Sequence, residues 1–190
     1  EANRLIYRYT RLNLYASAQM DGEIWYQVGV DEWVHQHHVA KILPQVRPAE
    51  VNTARWISID LYEQVLVAYE DERPVFATLV ASGQSIWPTN EGLYNIYFRR
   101  PRKDMSGGKV GNDYYYLEEV PWTMFFDEGR ALHGAYWHDG FGYRRSHGCV
   151  NLAITDAYWL YNWVAEVMGS KASADKEVGP MVYVFSSGQY

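Results

Sequence analysis

Cys149 is the only cysteine in 190 residues. It lies in Ser146-His147-Gly148-Cys149-Val150-Asn151, a short loop downstream of His133-Gly134. One thiol with two imidazoles nearby suggests a cysteine nucleophile. At its ordinary pKa of about 8.5 a cysteine is only a few per cent thiolate at neutral pH, so attack on a carbonyl needs a base or a cation to help. His133 and His147 are the candidates for that base. Reach alone permits either, because His147 and Cys149 are two residues apart and share a face in an extended strand.

The plainer alternative is a cysteine that serves as a small buried hydrophobe, the usual fate of a free thiol. Its neighbours argue against that. Gly148 lets backbone approach closely, and Arg144-Arg145-Ser146-His147 does not read as a core strand. At average usage the string Ser/Thr-His-Gly-Cys arises by chance in on the order of one in a thousand chains of this length, which favours a functional thiol. A zinc site from His133, His147 and Cys149 competes, since both residue types bind zinc. The spacing is poor for it and no second cysteine exists, so neither a metal nor a cofactor is expected.

The elements that must position these residues are mostly strands. Ile24–Val28 and Trp33–His35 are short and bounded by turns at Asp21-Gly22 and Val30-Asp31-Glu32. Pro44 and Pro48 mark a linker near residues 44–53. Trp56–Leu61, Gln64–Tyr69 and Val75–Val80 follow at hairpin spacing as a meander. Gly92–Phe98 and Tyr114–Phe126 read as two further strands, with Ser106-Gly107-Gly108 as a flexible connection between them. The one convincing helix runs from Thr155 to Met168, with Thr155 as N-cap and Gly169 just past the end. Ala157, Leu160, Tyr161 and Val164 recur at helical spacing and should face the sheet. Met181–Phe185 closes the domain as a strand.

Composition narrows the classes. Hydrophobic residues make up 48% of the chain and aromatics 16%, ample for a packed core. Seventeen basic against 23 acidic residues give a net charge of −6, which excludes sequence-independent binding to phosphate backbones, so nucleic acid is not an expected partner. No apolar run approaches the ~20 residues of a transmembrane helix. The chain starts at Glu1 without an initiator Met, as a processed or truncated N-terminus would.

The pattern His-Gly, loop, Ser/Thr-His-Gly-Cys-hydrophobic-Asn resembles the catalytic motif of the L,D-transpeptidases, the YkuD family. The resemblance covers residues 54–186 and includes that family's opening hairpin, here Ile57-Ser58-Ile59-Asp60 through Gln64, followed by Ala81-Ser82-Gly83. Two departures are the turn Trp87-Pro88-Thr89-Asn90-Glu91-Gly92, where the family has Thr-Pro-x-Gly, and a short loop from His133 to Ser146. Residues 1–50, through Trp25-Tyr26-Gln27-Val28 and Gly29-Val30-Asp31-Glu32-Trp33-Val34, resemble part of a bacterial SH3-like barrel. The expected fold is mainly β, a YkuD-like β-sandwich with one main helix, preceded by a small SH3-like β module.

The resemblance implies a peptidoglycan L,D-transpeptidase that joins donor and acceptor stem peptides through a cysteine thioester and is open to covalent inhibition by carbapenems. It implies Cys149 as nucleophile, His133 as base with the Gly134 carbonyl orienting it, and an oxyanion hole from the amides of His147, Gly148 and Cys149. Ser146 and Asn151 would hold the turn. Arg145 is a candidate for a substrate carboxylate, with a solvated arginine as the alternative. Tyr136 and Trp137 belong to a loop that either covers the stem peptide or merely covers the core edge, and His138 in that loop reads as solvated. Such an enzyme works outside the cytoplasm, in periplasm or cell wall. An L,D-carboxypeptidase and a non-catalytic cell-wall binding protein are the alternative functions. A cysteine peptidase fits less well, because there the cysteine precedes its histidine and opens a helix.

Overall fold

The computed structural model describes residues 4–169 and 179–188. The chain divides into two compact units, residues 1–41 and 42–190. The first holds an antiparallel meander of β1 (Ala16–Met20), β2 (Glu23–Gly29) and β3 (Glu32–His35). Only Tyr26 and Val28 of these strands are buried, because alternating positions on so short a sheet offer one small apolar face. Residues 1–3 of the expected N-terminal segment lie outside the described residues.

The second unit carries two sheets and a helix. One sheet has the order β6 (Arg73–Leu79), β5 (Val65–Glu70), β4 (Arg55–Asp60), β12 (Met181–Phe185), β7 (Gly92–Asn95). The other has the order β11 (Val150–Leu152), β10 (Arg130–Gly134), β9 (Tyr115–Asp127), β8 (Phe98–Gly107). Helix α1 spans Ile154–Met168. Ile57, Ile59 and Leu66 from the first sheet, Met124, Leu132 and Val150 from the second, and Ala157, Leu160 and Val164 from the helix form one core. Among the described residues the fold is mainly β with one α-helix, as the sequence indicates.

Three expectations need correction. The single strand over Gly92–Phe98 is two: Ile96 is fully buried between them, its N–H bonds Pro180 O while Tyr97 N–H bonds Phe125 O, and the chain thereby switches sheets. The connection at Ser106-Gly107-Gly108 is the end of β8, and the chain turns only beyond Gly107. Arg100, Pro101, Arg102 and Lys103 are exposed on this strand and show no alternation, yet they lie at the sheet's edge, where charge and proline are tolerated and pairing with β9 supplies the backbone bonds. The helix begins one residue early, with Ala153 at the cap and no side-chain cap bond, so Thr155 lies inside the first turn. Asp156, also in that turn, accepts from the Thr78 hydroxyl and ties the helix to β6. At the other end the Arg99 guanidinium bonds the Gly169 carbonyl and lies 4.8 Å over the Tyr161 ring, placing positive charge at the negative helix terminus.

The hairpin between β4 and β5 also holds the segment that will carry the site. Gln64 is 1% exposed, and its Nε2 donates to Leu61 O at 2.7 Å and Ser82 Oγ at 2.6 Å. Its Oε1 accepts the Ser82 N–H at 2.8 Å. Gln64→Leu keeps the volume and strands several buried polar groups, each costing about 1–3 kcal/mol, so we expect the urea unfolding free energy to fall by roughly 3 kcal/mol. A change below about 1 kcal/mol would show that water replaces the latch.

Candidate active site

The site is built on the shortest strand. β11 pairs in parallel with β10 in the register Leu132↔Val150, His133↔Asn151, Gly134↔Leu152. Partners in a parallel pair point to the same side, and side chains alternate along each strand. Leu132, Val150 and Leu152 therefore turn inward, and all three are fully buried in the main core. His133 and Asn151 turn to the opposite face, and one step back Ala131 and Cys149 share it. Cys149 accordingly packs with Met105, Val120 and Ala131 rather than with the main core. His133 and Cys149 thus stand two residues along and one strand over, about 8 Å between Cα atoms from strand rise and spacing.

The turn before Cys149 is stitched down on every side. The Ser146 hydroxyl donates to Cys149 O at 2.5 Å and accepts the Gly148 N–H at 3.0 Å. Ser146 N–H and Arg145 N–H both reach Ser82 O, at 3.0 and 2.8 Å. The Thr89 hydroxyl accepts Gly83 N–H and donates to Gly148 O, each at 2.9 Å. Gly148 has φ +112°, which favours glycine, and a Cβ at Gly83 would sit 2.2 Å from Trp87 O. Because the chain turns at Gly148, residues 147 and 149 do not alternate as a strand, which removes the spacing argument for His147 as base. Its exposed ring lies between Trp87, 4.1 Å between centroids, and Tyr115, 4.9 Å. The Gly148 amide, expected among the oxyanion donors, donates instead to Ser146 Oγ.

His133 is 2% exposed, and its Nδ1 lies 3.1 Å from Gly134 O, which makes Nδ1 the protonated nitrogen and leaves the Nε2 lone pair available. Burial lowers its pKa to about 4 against an ordinary 6.5. Burial also pushes the Cys149 thiol above its ordinary range, opposed by the Ala131 backbone and the charge of Arg130. The resting pair is neutral thiol and neutral imidazole.

The other expected residues are scattered around this centre. Arg145 is exposed. Tyr136 is 51% exposed and donates to Glu118 O at 2.8 Å, while Trp137 packs in the cluster that holds Cys149 and lies 5.7 Å from the His133 ring. His138 is not solvated as expected: it is half-buried, with Nε2 2.9 Å from Asn151 Nδ2 and Nδ1 3.1 Å from Gly140 N. Thr89 and His138 are the residues the sequence hides, one in a turn that departs from the motif and one in a loop without pattern. Among the described residues no group of three or more His, Cys, Asp or Glu side chains is arranged to hold a metal ion, and no helix is long and apolar enough to cross a membrane.

The L,D-transpeptidase catalytic-domain profile, YkuD, matches residues 54–184. An Enterococcus faecium L,D-transpeptidase mutant is similar at 24% identity and a TM-score of 0.58, over 70% of this chain and 50% of that one. An L,D-transpeptidase from Mycobacterium smegmatis is similar at 21% identity and 0.60, over 86% and 67%. L,D-transpeptidase 3 from Mycobacterium tuberculosis, in complex with a faropenem-derived adduct, is similar at 22% identity and 0.57, over 69% and 60%. The chain thus spans half to two thirds of the length of these structures. No curated protein sequence matches it.

Two pH dependences follow from His133 and Cys149. With the thiol raised, thiolate accumulates only above the ordinary cysteine range, so the rate of Cys149 alkylation by iodoacetamide should climb through pH 9 without an acidic plateau; an inflection below pH 7 would reveal a resting thiolate–imidazolium pair. Between pH 6.5 and 4 the unfolded chain binds a proton at His133 that the folded chain refuses. Stability should therefore fall with pH across that window, by up to about 3 kcal/mol, and His133→Gln should flatten the slope of the urea unfolding free energy.

Proposed function

The chain belongs to the YkuD family of L,D-transpeptidase catalytic domains, and from that premise we propose that it transfers stem-peptide acyl groups of peptidoglycan through a thioester on Cys149. The observation that carries this is the single face shared by His133 and Cys149, with the His133 Nδ1 anchored on Gly134 O. Cys149 Sγ attacks the amide carbonyl that joins an L-centre to the terminal D-residue of a donor stem. Its proton passes to His133 Nε2 as the C–S bond forms, since neither group is charged at rest. The amides of His147 and Cys149 receive the oxyanion, at about 3 kcal/mol per donor. The C–N bond then breaks, His133 returns the proton to the departing D-residue amine, and the acyl group remains on sulfur. An acceptor amine adds to the thioester and gives its proton to His133; the C–S bond then breaks and His133 returns the proton to Cys149 Sγ, closing the cycle.

Trp137 walls the pocket beside the base, Tyr136 sits at its rim, and Arg145 meets a substrate carboxylate at the exposed edge. β-Lactams of the penem and carbapenem classes acylate the same sulfur, a reading supported by the faropenem-derived adduct of the structural neighbour. The N-terminal meander serves as a partial SH3-like module, and the enzyme works outside the cytoplasm where peptidoglycan is exposed.

Incubation with a disaccharide tetrapeptide, followed by mass, tests this. A cross-linked dimer lacking one D-alanine is the expected product, absent with Cys149→Ala and reduced by about 10²–10⁴-fold with His133→Gln. Tripeptide alone would make the protein a carboxypeptidase, and equal silence from wild type and Cys149→Ala would end the enzyme proposal.

A further inference from the structure

His138 lies five residues past His133, in the loop that leads from β10 towards Ser146. Its Nδ1 accepts the Gly140 N–H at 3.1 Å. A neutral imidazole has one acceptor and one donor nitrogen, so Nε2 carries the proton. Burial and then the charge of Arg145 hold the ring's pKa below its ordinary value, which keeps it neutral at pH 7. Nε2 lies 2.9 Å from the carboxamide of Asn151, the residue paired with His133 across the β10–β11 ladder.

The orientation of that carboxamide is decided by chemistry. With Nδ2 toward His138, two N–H groups oppose one another and the buried Oδ1 has no partner among the described residues. With Oδ1 toward His138, the Nε2–H is accepted and the opposition of two donors is removed, Nδ2 taking the place of Oδ1. Asn151 is 3% exposed, so two donors forced together there are costly.

We propose that His138, as its Nε2–H tautomer, is a positioning residue that fixes the Asn151 carboxamide beside His133 and so holds the wall against which the base sits. This role rests on the acyl-transfer reading of His133 and Cys149. The His138 ring contacts Trp137, 5.9 Å between centroids, and Phe141, 5.2 Å, and a phenylalanine would keep that packing while losing the donor.

His138→Phe and His138→Gln separate the alternatives. In His138→Phe the first-order rate of imipenem acylation should fall by about ten- to a hundredfold with the apparent dissociation constant within about threefold, the signature of a misplaced reacting group. His138→Gln, whose amide still donates, should recover most of that rate. Iodoacetamide alkylation of the preformed thiolate at alkaline pH needs no base and should be unchanged in both. Wild-type acylation by His138→Phe, or a loss mirrored in affinity and alkylation, would overturn the role. Ring-nitrogen NMR of the wild-type chain at pH 7 reads the tautomer without any activity. Nδ1–H or imidazolium at His138 would refute the proposal directly. The Nε2–H tautomer in a wild-type protein that never acylates would instead overturn the acyl-transfer reading, and the positioning role with it, leaving the hydrogen bond itself standing.

Discussion

The site depends on three residues, Val150–Leu152, being held in register along both edges. On one side they pair with β10. On the other, Asn151 exchanges both backbone bonds with Ala81, at 2.9 and 3.0 Å, so the strand lies between a ladder and a single bridge. A strand this short has little pairing energy of its own. Its inward side chains, Val150 and Leu152, are fully buried and supply what the backbone cannot. Because side chains alternate, the same burial that pulls Val150 and Leu152 into the core commits Cys149 and Asn151 to the other face, and a slip of one residue would exchange the two sets. Cys149 is placed by its neighbours' hydrophobicity more than by any contact of its own.

A second dependence runs through buried polar groups. Gln64 bonds Ser82, Ser82 O receives the amides of Arg145 and Ser146, Ser146 closes on Gly148 and Cys149, and Thr89 joins Gly83 to Gly148. Each link satisfies a donor or acceptor that is otherwise stranded, and the relay carries positional information from the first hairpin to the thiol. Satisfied networks of this kind rigidify, because every member's alternative is an unmet group in a low-dielectric interior. The motif residues Gln64 and Ser146 are thus read best as two ends of one scaffold.

How much of this the sequence discloses follows from where the deciding interactions lie. Cys149, His133 and the inward face of α1 are legible because motif spacing and helical period are local. The break at Ile96 is not: its cause is the pair of bonds to Pro180 and Phe125, remote in the chain. β8 carries no apolar alternation because it is an edge whose partner β9 does the organising. Thr155 has the chemistry of a cap, yet the helix start is set where Ala153 O accepts the amides of Asp156 and Ala157 and where Asp156 meets Thr78 on another strand. His138 reads as an ordinary loop residue until Asn151 is seen beside it.

The electrostatics of the thiol explain why positioning counts for so much here. Arg130 is the cation whose charge reaches Cys149, but its guanidinium is paired at 3.0 Å with Asp127, a carboxylate only 8% exposed. That pair spends most of its field on itself, so it cannot hold a standing thiolate against burial. With His133 also driven toward its neutral form, no resting ion pair offsets a poorly aligned base. In the proposed acyl transfer the proton leaves sulfur as the carbon–sulfur bond forms, and the negative charge then grows on the carbonyl oxygen beside the Gly148-Cys149 turn. A site arranged this way stabilises charge where it develops rather than where it starts. On that proposal the rate is set by the placement of a ring anchored on Gly134 O and of two amides in a turn clamped by Ser146 and Thr89.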